Sequence, residues 1–281
     1  RPELEVLGAT AVVTGAAGGR GEHLAKGVAR RGADVVVIDR DETGLRRVVE
    51  EIGRETPGAT VTSHVVDLAD RAAADAVIAR VREEHPGVTM LFNNAGVALG
   101  GRFGEVGADD FDWLLEINLH VPIRFTRALL PLMLANGQGQ VVNLSSLFGL
   151  VGPPGQTAYS TSKFGLRGFS EALRSELEGE GRRVGVTVVH PGGIRTNIAA
   201  NARVGAGTDP VEAAQGKADF AKVLRYPADK AAEEIVEAAV ARRPRLLIGN
   251  DAKGLDLLAR VTPGRYWSLM GRAMALAAKR S

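Results

Sequence analysis

Tyr159 and Lys163 stand four residues apart in a stretch whose pattern predicts a helix over 157–179. Residues at this spacing share one helix face, so the phenol and the amine are expected to lie together. A tyrosine with a pKa of about 10 is a poor base at neutral pH. A neighbouring lysine cation favours the phenolate and brings that pKa toward the working range of an acid/base catalyst. The pair predicts proton transfer, although in isolation it could also be an ordinary solvated helix face.

A glycine-rich turn, Thr14 to Gly21, follows the first predicted strand and opens the first predicted helix. Glycine is needed where the backbone turns sharply and approaches a pyrophosphate without a Cβ in the way. Asp39 ends the second predicted strand 18 residues after Gly21, where a carboxylate can bond the adenosine ribose hydroxyls. The glycine-rich turn and Asp39, which lie in one βαβ unit, together predict a dinucleotide-binding site. Its candidate residues in the turn are Gly15, Gly19, Arg20 and Gly21.

These residues must be positioned by an alternation of short β-branched runs and longer helical stretches. Strands are predicted over 11–14, 35–38, 60–66, 88–92, 140–145, 184–189 and 245–248, and helices over 20–31, 41–54, 70–84, 109–135 and 157–179. Strands that are apolar on both faces and separated by helices indicate a parallel sheet covered on each side. The prediction is an α/β protein with a doubly wound parallel sheet, the Rossmann fold, whose ligand lies at the carboxyl ends of the strands.

No linker, repeat or low-complexity segment divides the chain, so residues 1–250 are predicted to form one dinucleotide-binding catalytic domain. Within it, the small and polar stretch 194–226 is interpreted as a mobile lid on the substrate side. Residues 251–281 are predicted to be an amphipathic, helical C-terminal extension of the same domain. We expect the extension to pack on its own subunit or on a partner. Capping of the cleft, or contact with an anionic membrane surface, remains an alternative.

Composition excludes several classes of protein. Cysteine is absent, which rules out disulfides, thiol catalysis and cysteine-bound metals. The five histidines are scattered and form no HExxH pair, so no metal site is predicted. A net charge of +2 without basic blocks gives no indication of nucleic-acid binding. No apolar run is long enough to span a membrane and no signal peptide is evident, so a cytoplasmic location is expected.

With these motifs, the chain resembles the short-chain dehydrogenase/reductase family over roughly residues 8–250. The glycine turn matches the TGxxxGxG motif of that family, and Asn93-Asn94-Ala95-Gly96 matches its NNAG motif. Ser146 precedes Tyr159 by the spacing of the family signature, in which Lys163 completes the YxxxK sequence. The remaining two matches are Pro191-Gly192, for a PG motif, and Asn118, for an asparagine of the long helix.

The resemblance implies an NAD(P)-dependent enzyme that oxidises a secondary alcohol or reduces a ketone. Tyr159 would be the acid/base, Lys163 would bind the nicotinamide ribose, and Ser146 would hold the substrate oxygen. Asn118 would hold a water of the proton relay. Asp67 would contact the adenine ring, and Asn94 is expected to brace the neighbouring strand and the adenine pocket. The further cofactor-binding residues are Leu68, Ala95, Gly96, Pro191, Gly192, Ile194 and Thr196.

Pro122 lies four residues after Asn118 in the predicted long helix. Proline has no N–H, so the Asn118 carbonyl loses its usual helical partner and can hold an ordered water. The alternative is that Pro122 only shapes the helix.

Two residues depart from the family pattern. Arg20 stands where a bulky apolar residue is usual, and it would either reach the pyrophosphate or lie in solvent. Arg40 follows Asp39, and an arginine there can hold the 2′-phosphate of NADP. Asp39 would repel that phosphate, and Gly18 occupies a position that is often basic in NADP users. NAD is therefore favoured over NADP.

Two other functions compete with the enzyme. A non-catalytic dinucleotide sensor is possible on the same fold, because a fold does not fix a function. A sugar-nucleotide epimerase or dehydratase is remote, since such chains are longer and space their glycines differently.

The substrate is expected to be a hydrophobic alcohol or ketone. A homo-oligomer, dimer or tetramer, is expected by analogy with relatives that pair the helices 109–135 and 157–179.

Overall fold

The computed structural model describes residues 2–271, and seven of their strands form one parallel sheet. The strands are β1 (Thr10–Thr14), β2 (Asp34–Asp39), β3 (Val61–Val65), β4 (Val88–Asn93), β5 (Leu99–Gly100), β6 (Gly139–Leu144), β7 (Val184–Pro191), β8 (Arg203–Val204) and β9 (Arg245–Ile248). The spatial order of the large sheet is β3-β2-β1-β4-β6-β7-β9, and β5 and β8 pair separately. The predicted doubly wound parallel sheet is confirmed. Its order reverses between β1 and β4, which opens a crevice at their carboxyl ends.

Helices cover both faces of the sheet. They are α1 (Gly19–Ala29), α2 (Glu42–Glu55), α3 (Arg71–Glu84), α4 (Ala108–Leu115), α5 (Val121–Ala135), α6 (Thr157–Gly179), α7 (Pro210–Val223), α8 (Ala228–Val240) and α9 (Asn250–Val261). The single helix predicted over 109–135 is α4 and α5, joined by a π-helical turn over Glu116–His120. Asp41 and Asp70 cap α2 and α3 by accepting backbone N–H bonds, each cap contributing about 1 kcal/mol.

The core has two apolar layers, because successive residues of a strand point to opposite faces of the sheet. In β1, Val13 packs on the side of α1 and α8, whereas Val12 packs on the side of α3 and α5. The sequence pattern did not predict α7 or α8, whereas α9 lies in the C-terminal extension that was predicted to be helical. The buried face of α8 is mostly alanine, so its apolar periodicity is weak although it packs closely on α1.

The stretch 194–226, interpreted above as a lid, contains β8 and α7. A backbone bridge between Ile194 and Tyr226 closes its base, and the pairing of β8 with β5 holds its middle to the loop after β4. Its mobility stays a prediction. Part of the C-terminal extension, residues 272–281, lies outside the described residues. Among the helices described, none is both long and apolar enough to cross a membrane.

Candidate active site

In the turn between β1 and α1, the backbone conformation and its close contacts require glycine. Gly15 and Gly19 have φ of 66° and 55°, in the left-handed region that favours glycine. A Cβ on Gly21 would lie 1.9 Å from the Gly15 carbonyl oxygen, so the turn can only close on a glycine. No side chain caps the N-terminus of α1, which leaves its first N–H groups available to an anion. This cradle fits the pyrophosphate of a dinucleotide.

Asp39 ends β2 beside that turn, as predicted. Its carboxylate oxygens accept bonds from the backbone N–H of Ala17, at 3.0 Å, and of Asp41, at 3.1 Å. The carboxylate is thus fixed between the glycine turn and α2, at the edge of the crevice. Arg40 is exposed.

Arg20 points into the site. Its Nε donates to Oδ1 of Asn94 at 2.8 Å, and the side chain is half-buried. Asn94 in turn donates to the carbonyls of Thr14 and Gly15, at 2.9 and 3.0 Å, so it fastens the end of β4 to the turn. The sequence analysis left two positions open for Arg20, near the pyrophosphate or in solvent. The structure excludes the position in solvent.

Tyr159 and Lys163 lie on a buried face of α6. Their exposed fractions are 9% and 4%, so neither is on a solvated helix face. Lys163 Nζ is 5.6 Å from the centre of the Tyr159 ring and donates to the Leu144 carbonyl at 2.9 Å. The ring of Phe148 packs edge-on against Tyr159. Ser146 follows β6, and its hydroxyl also interacts with Tyr159.

Burial is the largest influence on the pKa values of the titratable side chains in this site. Burial raises the pKa of Tyr159, whereas the hydrogen bond with Ser146 and the positive charge of Arg20 lower it. Burial also lowers the pKa of Lys163 to about 7, with a further contribution from Arg20. Burial lowers the pKa of Arg20 to about 10, so this guanidinium stays charged at neutral pH. The sequence predicted that Lys163 lowers the Tyr159 pKa. In the structure, the positive charge that lowers the pKa of Tyr159 is that of Arg20.

Asn118 is fully buried in the π-helical turn. Its side chain bonds both backbone groups of Val97, at 2.9 Å each, and so orients the loop after β4. That side chain is therefore occupied, and only the main-chain carbonyl could serve a relay. Pro122 has no N–H to offer this carbonyl, and the helix widens at this point, as π-turns at functional sites often do.

The other predicted cofactor residues line the same crevice with their backbone or side chains. Ala95 N–H donates to Thr14 at 3.0 Å, and a Cβ on Gly96 would lie 3.6 Å from Lys163 Nζ. Thr196 approaches the glycine turn from the lid, 3.5 Å from the position of a Cβ on Gly19.

The remaining predicted cofactor residues lie after β3 and at or after the end of β7. Asp67 accepts from the N–H of Ala69, and Leu68 is buried in the core, so Leu68 presents only its main chain to a ligand. Pro191 ends β7, where Gly192 bonds to Ile248 and packs against Asp251. Ile194 is buried at the base of the lid.

His190 is a site residue that the sequence analysis did not single out. Its ring is fully buried, and Nδ1 lies 3.0 Å from the Ser146 carbonyl oxygen, to which it donates. Burial lowers the pKa of His190 to about 4, so the ring is neutral at pH 7. Its place one residue before the Pro191-Gly192 motif was the available signal.

A cavity of about 210 Å³ lies between α7 and the loop that leads into α6. Its lining includes Leu99, Gly155, Gln156, Val204, Ala213 and Phe220. Gln156 immediately precedes α6, three residues before Tyr159, so the cavity begins at the amino end of the helix that carries Tyr159.

Comparisons with known proteins agree with this geometry. The family model of the short chain dehydrogenase matches residues 9–206. SadH of Mycobacterium tuberculosis, an oxidoreductase by name, is 37% identical over 274 residues, which cover 95% of this chain and 96% of SadH. A short chain dehydrogenase/reductase from Burkholderia phymatum in complex with NAD is 28% identical, with a TM-score of 0.83 over 92% of this chain and 95% of that one. A dehydrogenase from Sphingobium yanoikuyae in complex with NADPH is 26% identical, with a TM-score of 0.74 over 96% and 95% of the two chains.

A parallel sheet with a glycine cradle at its switch point, beside a buried tyrosine–lysine pair, defines an NAD(P)-dependent oxidoreductase. The family match and the extent of the likeness then place the chain within that class. It belongs to the short-chain dehydrogenase/reductase family.

Proposed function

We propose that the protein transfers a hydride between the nicotinamide of its cofactor and a secondary alcohol or ketone. The observation that carries this proposal is the buried face of α6, where Tyr159 and Lys163 lie together opposite Ser146. The bound nicotinamide supplies the hydride acceptor for oxidation and the hydride donor for reduction.

The proton is handled by the chain itself. Tyr159 removes the hydroxyl proton of the alcohol as the hydride leaves, or donates a proton to the ketone oxygen in the reverse direction. Ser146 hydrogen-bonds the substrate oxygen, and His190 holds the Ser146 backbone in place. Lys163 binds the nicotinamide ribose, and the Asn118 carbonyl holds the water that replenishes the proton.

We favour NAD over NADP because of the fixed carboxylate of Asp39. Two backbone N–H groups hold it at the end of β2, where the adenosine ribose of a Rossmann cofactor lies. It would bond the ribose hydroxyls and repel a 2′-phosphate, whereas Arg40 is exposed and free to turn away.

The substrate class is suggested by the cavity beside α6. Its wall is mostly apolar, with Leu99, Val204 and Phe220 facing one space, which favours a hydrophobic alcohol or ketone. Charged groups such as Glu212 and Lys217 on α7 occupy part of the same lining.

A substrate panel followed by nicotinamide absorbance, in both directions and with both cofactors, tests the proposal. We expect turnover of bulky secondary alcohols, with kcat/KM at least tenfold above that of the smallest ones. Phe220→Ala should weaken this preference while leaving cofactor binding unchanged. Cofactor binding without turnover of any alcohol or ketone would instead favour the dinucleotide sensor.

We also propose a homo-oligomer formed through α5 and α6. Of the apolar side chains on these helices, Phe125, Leu129 and Leu177 are buried in the core of the subunit and cannot reach a partner. Phe164 remains 41% exposed, with half-buried Phe169, Leu173 and Leu132 as further apolar surface. Light scattering should show a dimer or tetramer, and Phe164→Glu should weaken it. A wild-type monomer at micromolar concentration would contradict the proposal.

The C-terminal extension is proposed to pack on its own subunit. The Tyr266 hydroxyl accepts from the Gly152 N–H at 3.0 Å, which joins the extension to the loop between β6 and α6. Removal of residues 263–281 should therefore leave the oligomeric state intact, whereas a rise of KM for bulky substrates would show that the extension caps the cleft. Loss of assembly would show that the extension contacts a partner, and loss of salt-sensitive binding to anionic vesicles would show a membrane role.

A further inference from the structure

A second group of chemically reactive side chains lies at the edge of the large sheet. His64 is on the edge strand β3, and Glu84 and His85 are at the carboxyl end of α3. One potential ligand atom from each of the three lies within 4.8 Å of the others. His64 is 20 positions before Glu84 in the sequence, and the fold brings the end of α3 to it.

Both imidazoles have an unused nitrogen. His64 is 8% exposed, and the Nε2 atoms of His64 and His85 are buried without a hydrogen-bond partner in the range 2–271. Buried polar atoms of native proteins almost always have a partner. Two orphan imidazole nitrogens, in residues whose potential ligand atoms lie this close together, therefore indicate a group that the protein chain does not supply.

The electrostatic surroundings suit a cation that accepts lone pairs. The buried ring of His64 can offer the lone pair of its unpartnered nitrogen to such a cation. Glu84 contributes a negative charge from the exposed side of the cluster. Arg80, one helical turn earlier, is the opposing charge, and its exposed side chain is free to extend into solvent.

We propose that His64, Glu84 and His85 bind one divalent transition-metal ion, best matched by Zn²⁺. Two imidazoles and a carboxylate are ligands that zinc commonly takes, and a water can fill the fourth position. Magnesium and calcium prefer all-oxygen sites and do not fit. Tetrahedral zinc with bonds of about 2.1 Å needs ligand atoms about 3.4 Å apart. The exposed side chain of Glu84 can supply the required closing movement.

The ion would have a stabilising role. The carboxyl end of α3 leads to the start of β4, whereas the catalytic residues follow the carboxyl ends of the strands. A metal bridging His64 to α3 would fasten the β3–α3–β4 crossover and leave the chemistry of Tyr159 unaffected. The sequence predicted no metal site because the histidines form no local motif, and only the fold brings these ligands together.

The test uses the full-length protein without a polyhistidine tag, freed of metal by dialysis against a chelator. Titration with Zn²⁺ should give one ion per chain, and Zn²⁺ at about 100 times its Kd should raise Tm by about 5 °C. Mg²⁺ should have no effect. His85→Asn and Glu84→Gln, both at the outer end of the cluster, should each weaken zinc binding at least tenfold. Glu83→Gln, the exposed neighbour, is the matched control and should bind zinc like the wild type.

Turnover under the same conditions should be unchanged by zinc or by the chelator. Failure to bind one Zn²⁺ per chain would overturn the proposal. Binding that is equally strong in His85→Asn and Glu84→Gln would overturn it too, because the ion would then lie elsewhere. Neither result bears on the proposed oxidoreductase activity.

Discussion

Arg20 donates a hydrogen bond from Nε to the side-chain carbonyl of Asn94, with the two atoms 2.8 Å apart. The bond joins the first turn of α1 to the residue that follows β4 and holds the guanidinium in the site. From there its charge lowers the pKa of Tyr159 and of Lys163. A position that is usually apolar in the family thus carries a permanent cation in this chain.

Arg20→Leu should raise the pKa of Tyr159, because the positive charge that favours the phenolate is lost. Alcohol oxidation needs the unprotonated tyrosine, so the rise of kcat/KM with pH should move to higher pH. At pH 7 we expect a loss of about tenfold. Arg20→Lys keeps the charge and should retain the wild-type profile. Superimposable profiles of wild type and Arg20→Leu would show that the charge does not act on Tyr159.

Asp39→Ala should narrow the preference for NAD over NADP by about tenfold, which corresponds to about 1.4 kcal/mol. By our proposal the carboxylate bonds the ribose and repels the 2′-phosphate, and an alanine side chain would do neither. Fluorescence titration of both cofactors measures the ratio. Glu42→Gln removes an exposed charge at the start of α2 and should leave the ratio unchanged. Tighter binding of NADP by the wild type would mean that Arg40 dominates.

The glycine turn, Asp39 and the Tyr159–Lys163 pair were predictable because each is local. A turn, a strand end and a four-residue spacing are all visible within one or two elements. The hydrogen bond between Arg20 and Asn94 was not predictable, since a long side chain at the start of a helix can reach several partners or solvent. The β5–β8 pairing escaped prediction because strands of two residues show no periodicity. The cluster of His64 with His85 escaped for another reason, as it exists only after β3 and α3 pack together.

Pro122→Ala should reduce kcat by about tenfold without unfolding the protein. An alanine N–H at this position can bond the Asn118 carbonyl, which lets the π-helical turn close and displaces the relay water. Pro131→Ala alters another proline of α5, which is exposed and distant in the helix, and should leave kcat unchanged. Equal kcat in wild type and Pro122→Ala would reduce Pro122 to a residue that shapes the helix.

His190 should make the protein less stable as the pH falls from about 6.5 to about 4. In this window the unfolded chain protonates the imidazole, whereas the folded chain, with a pKa of about 4, does not. The unfolded state therefore binds more protons, and the free energy of unfolding decreases by up to about 3 kcal/mol. His190→Gln should lose this part of the pH dependence in denaturant titrations. If the free energy of unfolding depended on pH in the same way in the wild type and in His190→Gln, the lowered pKa of His190 would be contradicted.

The central claim is that Tyr159 moves the proton. Tyr159→Phe keeps the ring that packs against Phe148 and removes only the hydroxyl, so folding and cofactor binding should be preserved. The decisive measurement is kcat of this variant on a substrate that the wild type turns over, alongside its cofactor Kd. We predict a loss of at least a thousandfold in kcat, with Kd changed less than about threefold. Retention of more than about a tenth of the wild-type kcat would show that another group carries the proton.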